Sequence, residues 1–184
     1  EPYSADHTTY AVFKSHRTPG QLPWSCSTFD QQTANGISSQ LPSTARSSAG
    51  QLKTMRLAQS VTAEYSNYFG ATSAAQVGLV LTAVNNTMTR CNGVYEKDLA
   101  LHLNLIANTT SVFYYTASTD PYSAAATGAG GAWNSELQST LTSVIGDANY
   151  DIGHVFHRNV GQSRNGNAGG IGIVCTNPAS FKSL

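Results

Sequence analysis

Five histidines are the residues of this chain best suited to bind a metal or transfer a proton: His7, His16, His102, His154 and His157. His154 and His157 form an H-x-x-H pair. Zinc-binding pairs on a helix are spaced i and i+4, because that spacing puts both imidazoles on one face. His154 lies in a predicted strand, where residues i and i+3 point to opposite faces. We therefore predict a core His154 and an exposed His157 rather than a metal pair. His102 alternates with the leucines of its strand and is not expected to be a ligand, and the two N-terminal histidines are expected to be solvated.

The chain has three cysteines, Cys26, Cys91 and Cys175. In a secreted protein an odd number leaves one cysteine without an internal partner. That partner is then on another segment, on another chain, or is a metal ion, and the sequence leaves these alternatives open.

No complete set of catalytic residues is found in the 184 residues. The motifs H-E-x-x-H, G-x-S-x-G, C-x-x-C and G-x-x-x-x-G-K-[ST] do not occur. The glycines of 166–172 are not followed by a predicted helix, so they do not predict a phosphate-binding loop. Six acidic residues of the regular part of the chain are also dispersed: Glu64, Glu96, Asp98, Glu136, Asp147 and Asp151.

Charge and composition exclude some partners. Lys plus Arg is 10 and Asp plus Glu is 10, so the formal net charge is zero, and only 11% of residues are charged. Such a balance does not attract DNA, RNA or anionic lipid. No apolar run approaches the roughly 20 residues that span a bilayer. We expect no nucleic-acid partner and no membrane span. A Ser/Thr/Asn/Gln-rich composition and glycosylation triplets at Asn85 and Asn108 are typical of a secreted or extracellular protein. Both chain ends are expected to be products of processing.

The elements that would position these residues begin after a poorly periodic arm. Residues 1–52 are rich in Ser, Thr, Gln and Pro, with one predicted strand at Thr8–Lys14 and an irregular stretch over Ser25–Gly50.

From residue 53 onward, apolar residues recur with strand or helix periodicity. The predicted strands are Met55–Thr62, Asp98–Ala107, Tyr150–Phe156 and Gly170–Cys175. The predicted helices are Thr72–Arg90, with Thr72 or Ser73 as its cap and Gly93 just past its end, and Ala132–Ile145. A Gly/Ala turn is predicted at Thr127–Gly131 and a Gly/Asn loop at Asn159–Asn167.

This order predicts an α/β fold, with a mostly parallel twisted sheet, two main helices and an antiparallel edge strand. Asp98–Ala107 is expected inside the sheet, with Leu99, Leu101, Leu103 and Leu105 on one face. Gly170–Cys175 follows a loop rather than a helix, so it is expected to be the outermost, antiparallel strand.

Four segments carry a family resemblance. They are Met55–Tyr68 (MRLAQSVTAEYSNY), Asn92–Leu99 (NGVYEKDL), Ser143–Phe156 (SVIGDANYDIGHVF) and Gly169–Cys175 (GGIGIVC). In this order and spacing, they resemble the bacterial reprolysin-like, adamalysin-type zinc metallopeptidases of the metzincin clan. The resemblance covers about residues 54–177 and implies the upper, N-terminal subdomain of such an enzyme.

The resemblance implies no catalytic residue and no metal ligand within this chain. In the family, zinc is held by three histidines of an H-E-x-G-H-x-x-G-x-x-H segment, whose Glu is the general base. No histidine here matches that segment, so zinc is expected for the complete enzyme and not for this chain alone. The family's edge strand binds peptide substrate, and the matching residues are Gly170, Ile171, Gly172, Ile173 and Val174. The alternative is an edge strand that is merely covered by its own fold.

The resemblance extends to the cysteines. Residues 1–52 resemble the tail of a propeptide, in which the Cys26 thiolate could hold the enzyme latent by occupying the open zinc position. The alternative is a disulfide, for example with Cys91. Cys175 matches a family cysteine whose partner lies further along the protein, so no partner is expected for it in residues 1–184.

We therefore expect the N-terminal portion of a secreted zinc metalloendopeptidase, with a propeptide-like arm at 1–52 and an N-terminal subdomain at 53–184. It would be inactive alone, and its partners would be the C-terminal half or neighbouring copies of the chain, plus a peptide or protein substrate in the complete enzyme. The alternative function is a non-catalytic structural or adhesive protein that assembles through its sheet edges.

Overall fold

The computed structural model describes residues 25–26, 51–158, 164–166 and 174–175. The strands are β1 (Ser25–Cys26), β2 (Lys53–Val61), β3 (Leu101–Leu105), β4 (Ile152–Phe156) and β5 (Arg164–Gly166). The α-helices are α1 (Ala63–Tyr68), α2 (Val77–Leu99), α3 (Ala125–Thr127) and α4 (Trp133–Val144). Single 3-10 turns occupy Ala74–Gln76, Thr109–Val112 and Asp147–Asn149, and a π turn occupies Gly128–Ala132. None of the helices in these ranges is both long and apolar enough to cross a bilayer.

The sheet at the centre of the fold has three strands in the order β3-β2-β4, all parallel. This confirms the predicted α/β class and the parallel sheet. The expectation that the second strand lies inside the sheet is wrong for the described residues, since β2 is central and β3 lies at an edge. The physical reason is burial: the last five residues of β2 are all buried, whereas no residue of β3 is.

Two helices cover the two faces of the sheet. On one face Leu57 and Val61 pack with Val80, Val84 and Met88 of α2. On the other face the buried cluster joins the sheet to α4: Ala58, Ile106, Val112, Leu137, Leu141, Ile145 and Tyr150. The alternation along β2 therefore sends apolar side chains into both layers.

Helix α2 differs from the prediction at both ends. It begins at Val77 and runs through Gly93 to Leu99, where Ala100 ends it in the left-handed conformation (φ 51°). Ser73 caps only the preceding 3-10 turn and makes no side-chain cap bond. Because Asp98 and Leu99 belong to the helix, the following strand is shorter than predicted. The buried stripe continues at steps of four from Met88 to Asn92, and the helix then extends through Gly93 to Leu99 with no further buried residue.

The predicted Gly/Ala turn at Thr127–Gly131 is helical instead. It comprises the end of α3 and most of the π turn, and only Gly131, with φ 120°, leaves helical geometry. Gly128 lies so close to the Trp133 indole that a Cβ atom there would be 1.9 Å from Nε1. Gly128 therefore allows close packing here rather than a chain reversal.

Several predictions fall partly or wholly outside the described residues. Thr8–Lys14 and residues 170–173 lie outside them. Within the predicted Gly/Asn loop, β5 pairs in parallel with β1. Val174 and Cys175 form a turn, and Cys175 has φ 66°, so the prediction that they end a strand is wrong.

Candidate functional site

The side of β4 that faces away from β2 is the candidate site, because the predicted peptide-binding segment was expected at the outer edge of the sheet. The Phe156 carbonyl accepts a hydrogen bond from the Thr62 N–H at 3.0 Å and so faces β2. By the alternation of a strand, the backbone groups of Gly153 and Val155 point to the other side. Within the part of the chain that is described, no strand pairs with them. This side of β4 can therefore offer backbone donors and acceptors to an extended segment.

The end of the predicted peptide-binding segment lies beside the start of β4. The Cys175 N–H donates to the Asp151 carbonyl at 2.9 Å, and Val174 is half-buried. Gly170, Ile171, Gly172 and Ile173 lie outside the described residues, so their predicted contact with substrate stays a prediction.

Arg56 and Asp151 fix the start of β4 against β2. The Asp151 carboxylate accepts from the Arg56 backbone N–H at 2.7 Å and from its guanidinium at 2.7 Å (NH2) and 3.2 Å (Nε). Arg56 NH1 also donates to the Ala148 carbonyl at 2.9 Å. The hydrogen bond to Asp151 raises the pKa of Arg56. We call this group of contacts the Asp151 anchor.

His154 lies on β4 and contacts the buried Gln59 of the central strand. Its Nδ1 is 3.2 Å from Gln59 Oε1, and its ring meets Phe156 edge-on at 5.0 Å. Burial lowers the pKa of His154 to about 4, so the imidazole is neutral near pH 7. With Nδ1 protonated, it donates to the Gln59 carbonyl oxygen, which is a structural contact.

The expectation that His157 is exposed is wrong, since only 6% of its side chain is accessible. Trp133 covers the ring, with 4.4 Å between the ring centres. His157 Nδ1 is 3.1 Å from Thr62 Oγ1 and 3.7 Å from Glu64 Oε2. Burial lowers the pKa of His157, against a smaller opposite effect of Glu64. The sequence did not show this burial because Trp133 comes from a distant helix.

Histidine His102 lies on β3, on the far side of the central strand from His154. Its Nδ1 is 2.5 Å from Glu96 Oε1 of α2. Across the ranges that the structure covers, no three His, Cys, Asp or Glu side chains come together as a metal site. The described residues thus do not fit a catalytic zinc ion, which takes three protein ligands.

A polar network lies at the carboxyl end of the sheet, where ligands often bind in α/β folds. Tyr122 Oη donates to Ser60 Oγ at 2.7 Å, and Ser60 Oγ donates to the Val112 carbonyl at 2.7 Å. Asp120 accepts from the Ala63 N–H at 2.5 Å, and burial raises the pKa of Asp120. Burial also raises the pKa of Tyr122, so this phenol is a poor acid. The Ser60 hydroxyl binds a backbone carbonyl and a phenol, neither of which can act as its general base, so the network is structural.

The structure also locates the cysteine and asparagine candidates. Cys26 lies in β1, and Cys91 and Cys175 are free thiols, so the alternative of a Cys26–Cys91 disulfide is wrong. Asn85 on α2 and Asn108 before a 3-10 turn are both exposed, and their glycosylation stays a prediction.

Two structural features, Asn92 and the Asp151 anchor, were not predicted from the sequence. Asn92 is 8% exposed and makes two hydrogen bonds to the backbone of β3. The sequence signal for Asn92 is its position on α2, where it follows Val80, Val84 and Met88 at the next step of four. The Asp151 anchor joins residues that are 95 positions apart, and no local sequence pattern predicts such a pair.

Comparison with known proteins defines the class of this chain. The model of the reprolysin-like metallo-peptidase family M12B matches residues 51–183. Because this is most of the chain, the protein belongs to the reprolysin-like M12B metallopeptidases, a family of zinc-dependent peptidases in general. Neither the curated proteins nor the solved structures gave a match.

Proposed function

We propose that this chain is the N-terminal, sheet-bearing portion of a secreted zinc-dependent metalloendopeptidase. Residues 1–52 would be a propeptide-like arm, and residues 53–184 the N-terminal subdomain. The observation that carries the proposal is the family match over residues 51–183, which begins where the arm would end. The parallel sheet between two helices supports it, because that is the scaffold of the upper subdomain in this kind of enzyme.

The proposed substrate is a peptide in extended conformation, bound along Gly170–Val174. An unpaired strand edge supplies main-chain donors and acceptors to such a peptide, while side-chain pockets select its sequence. The contact of Cys175 with Asp151 supports this assignment, since it brings the end of that segment to the start of β4. Because the carboxyl end of this segment lies at the amino end of β4, the segment would run antiparallel to β4.

The proposed zinc ligands and general base come from protein outside these 184 residues. The chain contains no H-E-x-x-H motif, and the described histidines are occupied by Gln59, Thr62 and Glu96. The 1–184 chain alone would accordingly hydrolyse no peptide.

Metal analysis and peptide hydrolysis test the proposal. We expect purified 1–184 to bind no stoichiometric zinc and to cleave neither casein nor a mixed library of quenched peptides with zinc added. The protein encoded by the complete reading frame should cleave them and lose activity with a chelator. Stoichiometric zinc on 1–184 that is lost in His154→Ala or His157→Ala would contradict the proposal. An inactive complete protein would favour the structural or adhesive alternative.

We further propose that Cys26 keeps the complete enzyme latent. The pairing of β1 with β5 supports this, because it joins the arm to the chain segment between β4 and Gly170. In the unprocessed complete enzyme, Cys26→Ser should raise peptide hydrolysis, whereas Cys91→Ser, a free thiol on α2, should not. Equal activities of the two variants would refute the role of Cys26.

A further inference from the structure

The outer edge of β3 is the other side of the described sheet, and its backbone direction can be read from two hydrogen bonds. The Ala100 carbonyl accepts from the Lys53 N–H at 2.8 Å, and the Ile106 N–H donates to the Leu57 carbonyl at 3.0 Å. The even-numbered residues of β3 therefore direct their backbone groups to β2. By alternation, Leu101, Leu103 and Leu105 direct theirs outward.

Asn92 of α2 binds the middle of this edge with both ends of its amide. Its Oδ1 accepts from the Leu103 N–H at 2.9 Å, and its Nδ2 donates to the Leu103 carbonyl at 3.0 Å. A neighbouring strand would present the same pair of groups, one donor and one acceptor, to an outward-facing residue. The amide therefore stands in for one residue of a further strand.

We infer that Asn92 closes the edge of β3 against pairing with a second copy of this chain. An open strand edge is a template for self-pairing, and proteins block such edges with covering groups or charges. The chain carries no net charge, so electrostatic repulsion between copies does not protect this edge. The inference concerns a different edge from the proposed substrate segment and does not depend on the proposed function.

Asn92 lines an open groove along this edge of the sheet. A groove of about 490 Å³ follows the edge between α2 and β3, and Thr89, Asn92, Glu96, His102 and Asn104 are among its lining residues. The Glu96–His102 pair lies at one end of β3 and the exposed Asn104 near the other. Only at Leu103 does a described side chain bind the outward backbone of the strand.

Amide hydrogen exchange of the unaltered chain tests the hydrogen bond. After correction for intrinsic rates, the Leu103 amide should exchange about tenfold more slowly than those of Leu101 and Leu105, since it alone has a partner. Exchange of Leu103 as fast as that of its two neighbours would overturn the inference, and this measurement needs no variant that might misfold.

Replacement of the Asn92 side chain tests whether its amide prevents pairing at the edge of β3. Asn92→Ala keeps a good helix former on α2 and should self-associate more strongly than the unaltered chain in sedimentation equilibrium. Asn104→Ala, in the same groove, should behave as the unaltered chain. Adding Asn104→Lys to Asn92→Ala should return the association constant to that of the unaltered chain, because a charge on an edge strand opposes pairing. An Asn92→Ala chain that associates no more strongly than the unaltered chain, or added association that Asn104→Lys does not reverse, would overturn the inference.

Discussion

At the scale of single residues, the described histidines stabilise the fold rather than form a reactive centre. His154 is held by Gln59, His157 by Thr62 and Trp133, and His102 by Glu96. Each lies on a different side of the sheet or at a different end of it. The hydrogen-bonded and buried environments of His154 and His157 resemble those of core residues, which is why the motif H-x-x-H is not a metal site here.

The low pKa of His154 makes stability depend on pH. Because burial lowers its pKa from 6.5 to about 4, the unfolded chain takes up a proton before the folded chain as the pH falls. The stability that the neutral His154 contributes is therefore fully present above pH 6.5. This contribution decreases as the pH falls from 6.5 to 4 and does not change further below pH 4. The loss should be about 3 kcal/mol.

Urea unfolding of the unaltered chain and of His154→Gln at pH 7.5, 5.5 and 4 measures this effect. Glutamine does not titrate, so the free energy of unfolding of the variant should fall less steeply across this range. Both proteins share the titration of His157 and Asp120, which cancels in the comparison. Parallel pH profiles would show that His154 is not the cause.

Residue-scale predictions from sequence failed where a distant element sets the environment. The burial of His157 depends on Trp133, which lies 24 positions earlier in the chain. A loop and strand β4 separate the two residues in sequence. The role of Asn92 was readable in principle, because it follows the apolar stripe of its helix. No strand pattern could show that its amide would meet Leu103.

At the scale of elements, periodicity predicted the strands and helices but not their ends. The strand and helix cores of β2, α2, α4 and β4 lie where the pattern placed them. Gly93 did not end α2, which continues to Leu99 despite the roughly 1 kcal/mol that glycine costs in a helix. The alternating leucines made the predicted strand begin too early, within the last turn of α2. Leu99 fits both the strand pattern and the helix pattern, and its side chain is 61% exposed.

The glycine-rich π turn gives a test of element packing with a matched control. Gly128→Ala would place a Cβ atom 1.9 Å from Trp133 Nε1, and Trp133 is fixed by its hydrogen bond to the Ser123 carbonyl at 2.8 Å. We expect it to lower the free energy of unfolding by about 2–3 kcal/mol through overpacking.

The control is Gly130→Ala, where an added Cβ meets no atom within 4 Å. Its effect should stay within about 0.5 kcal/mol. Urea unfolding of the three proteins at one pH compares them directly. Equal midpoints for the two variants would mean that the indole moves aside without cost, and that Gly128 is not required by packing.

At the scale of the whole molecule, the two outer strands of the described sheet differ in what they expose. The edge of β3 is bound by Asn92, whereas the outward groups of Gly153 and Val155 on β4 have no strand partner in the described ranges. Under the proposed function, a substrate peptide or a further strand would therefore bind on the β4 side. The fold class and the parallel sheet followed from the order of elements, but the difference between the edges did not, because it depends on contacts between separate elements.

The Asp151 anchor joins Arg56 of β2 to Ala148 and Asp151 at the amino end of β4, where the Asp151 carbonyl also accepts from the Cys175 N–H. Asp151→Asn keeps the size of the side chain but loses its charge and turns an amide group toward the Arg56 guanidinium. We therefore expect a lower urea midpoint than for Asp98→Asn, an exposed carboxylate at the end of α2. Arg56→Gln should also lower it, and the double variant Arg56→Gln/Asp151→Asn should lose less than the sum of the two, because both single changes break the same pair. Additive losses, or an Asp151→Asn midpoint equal to that of Asp98→Asn, would show that the start of β4 is held by its strand pairing alone.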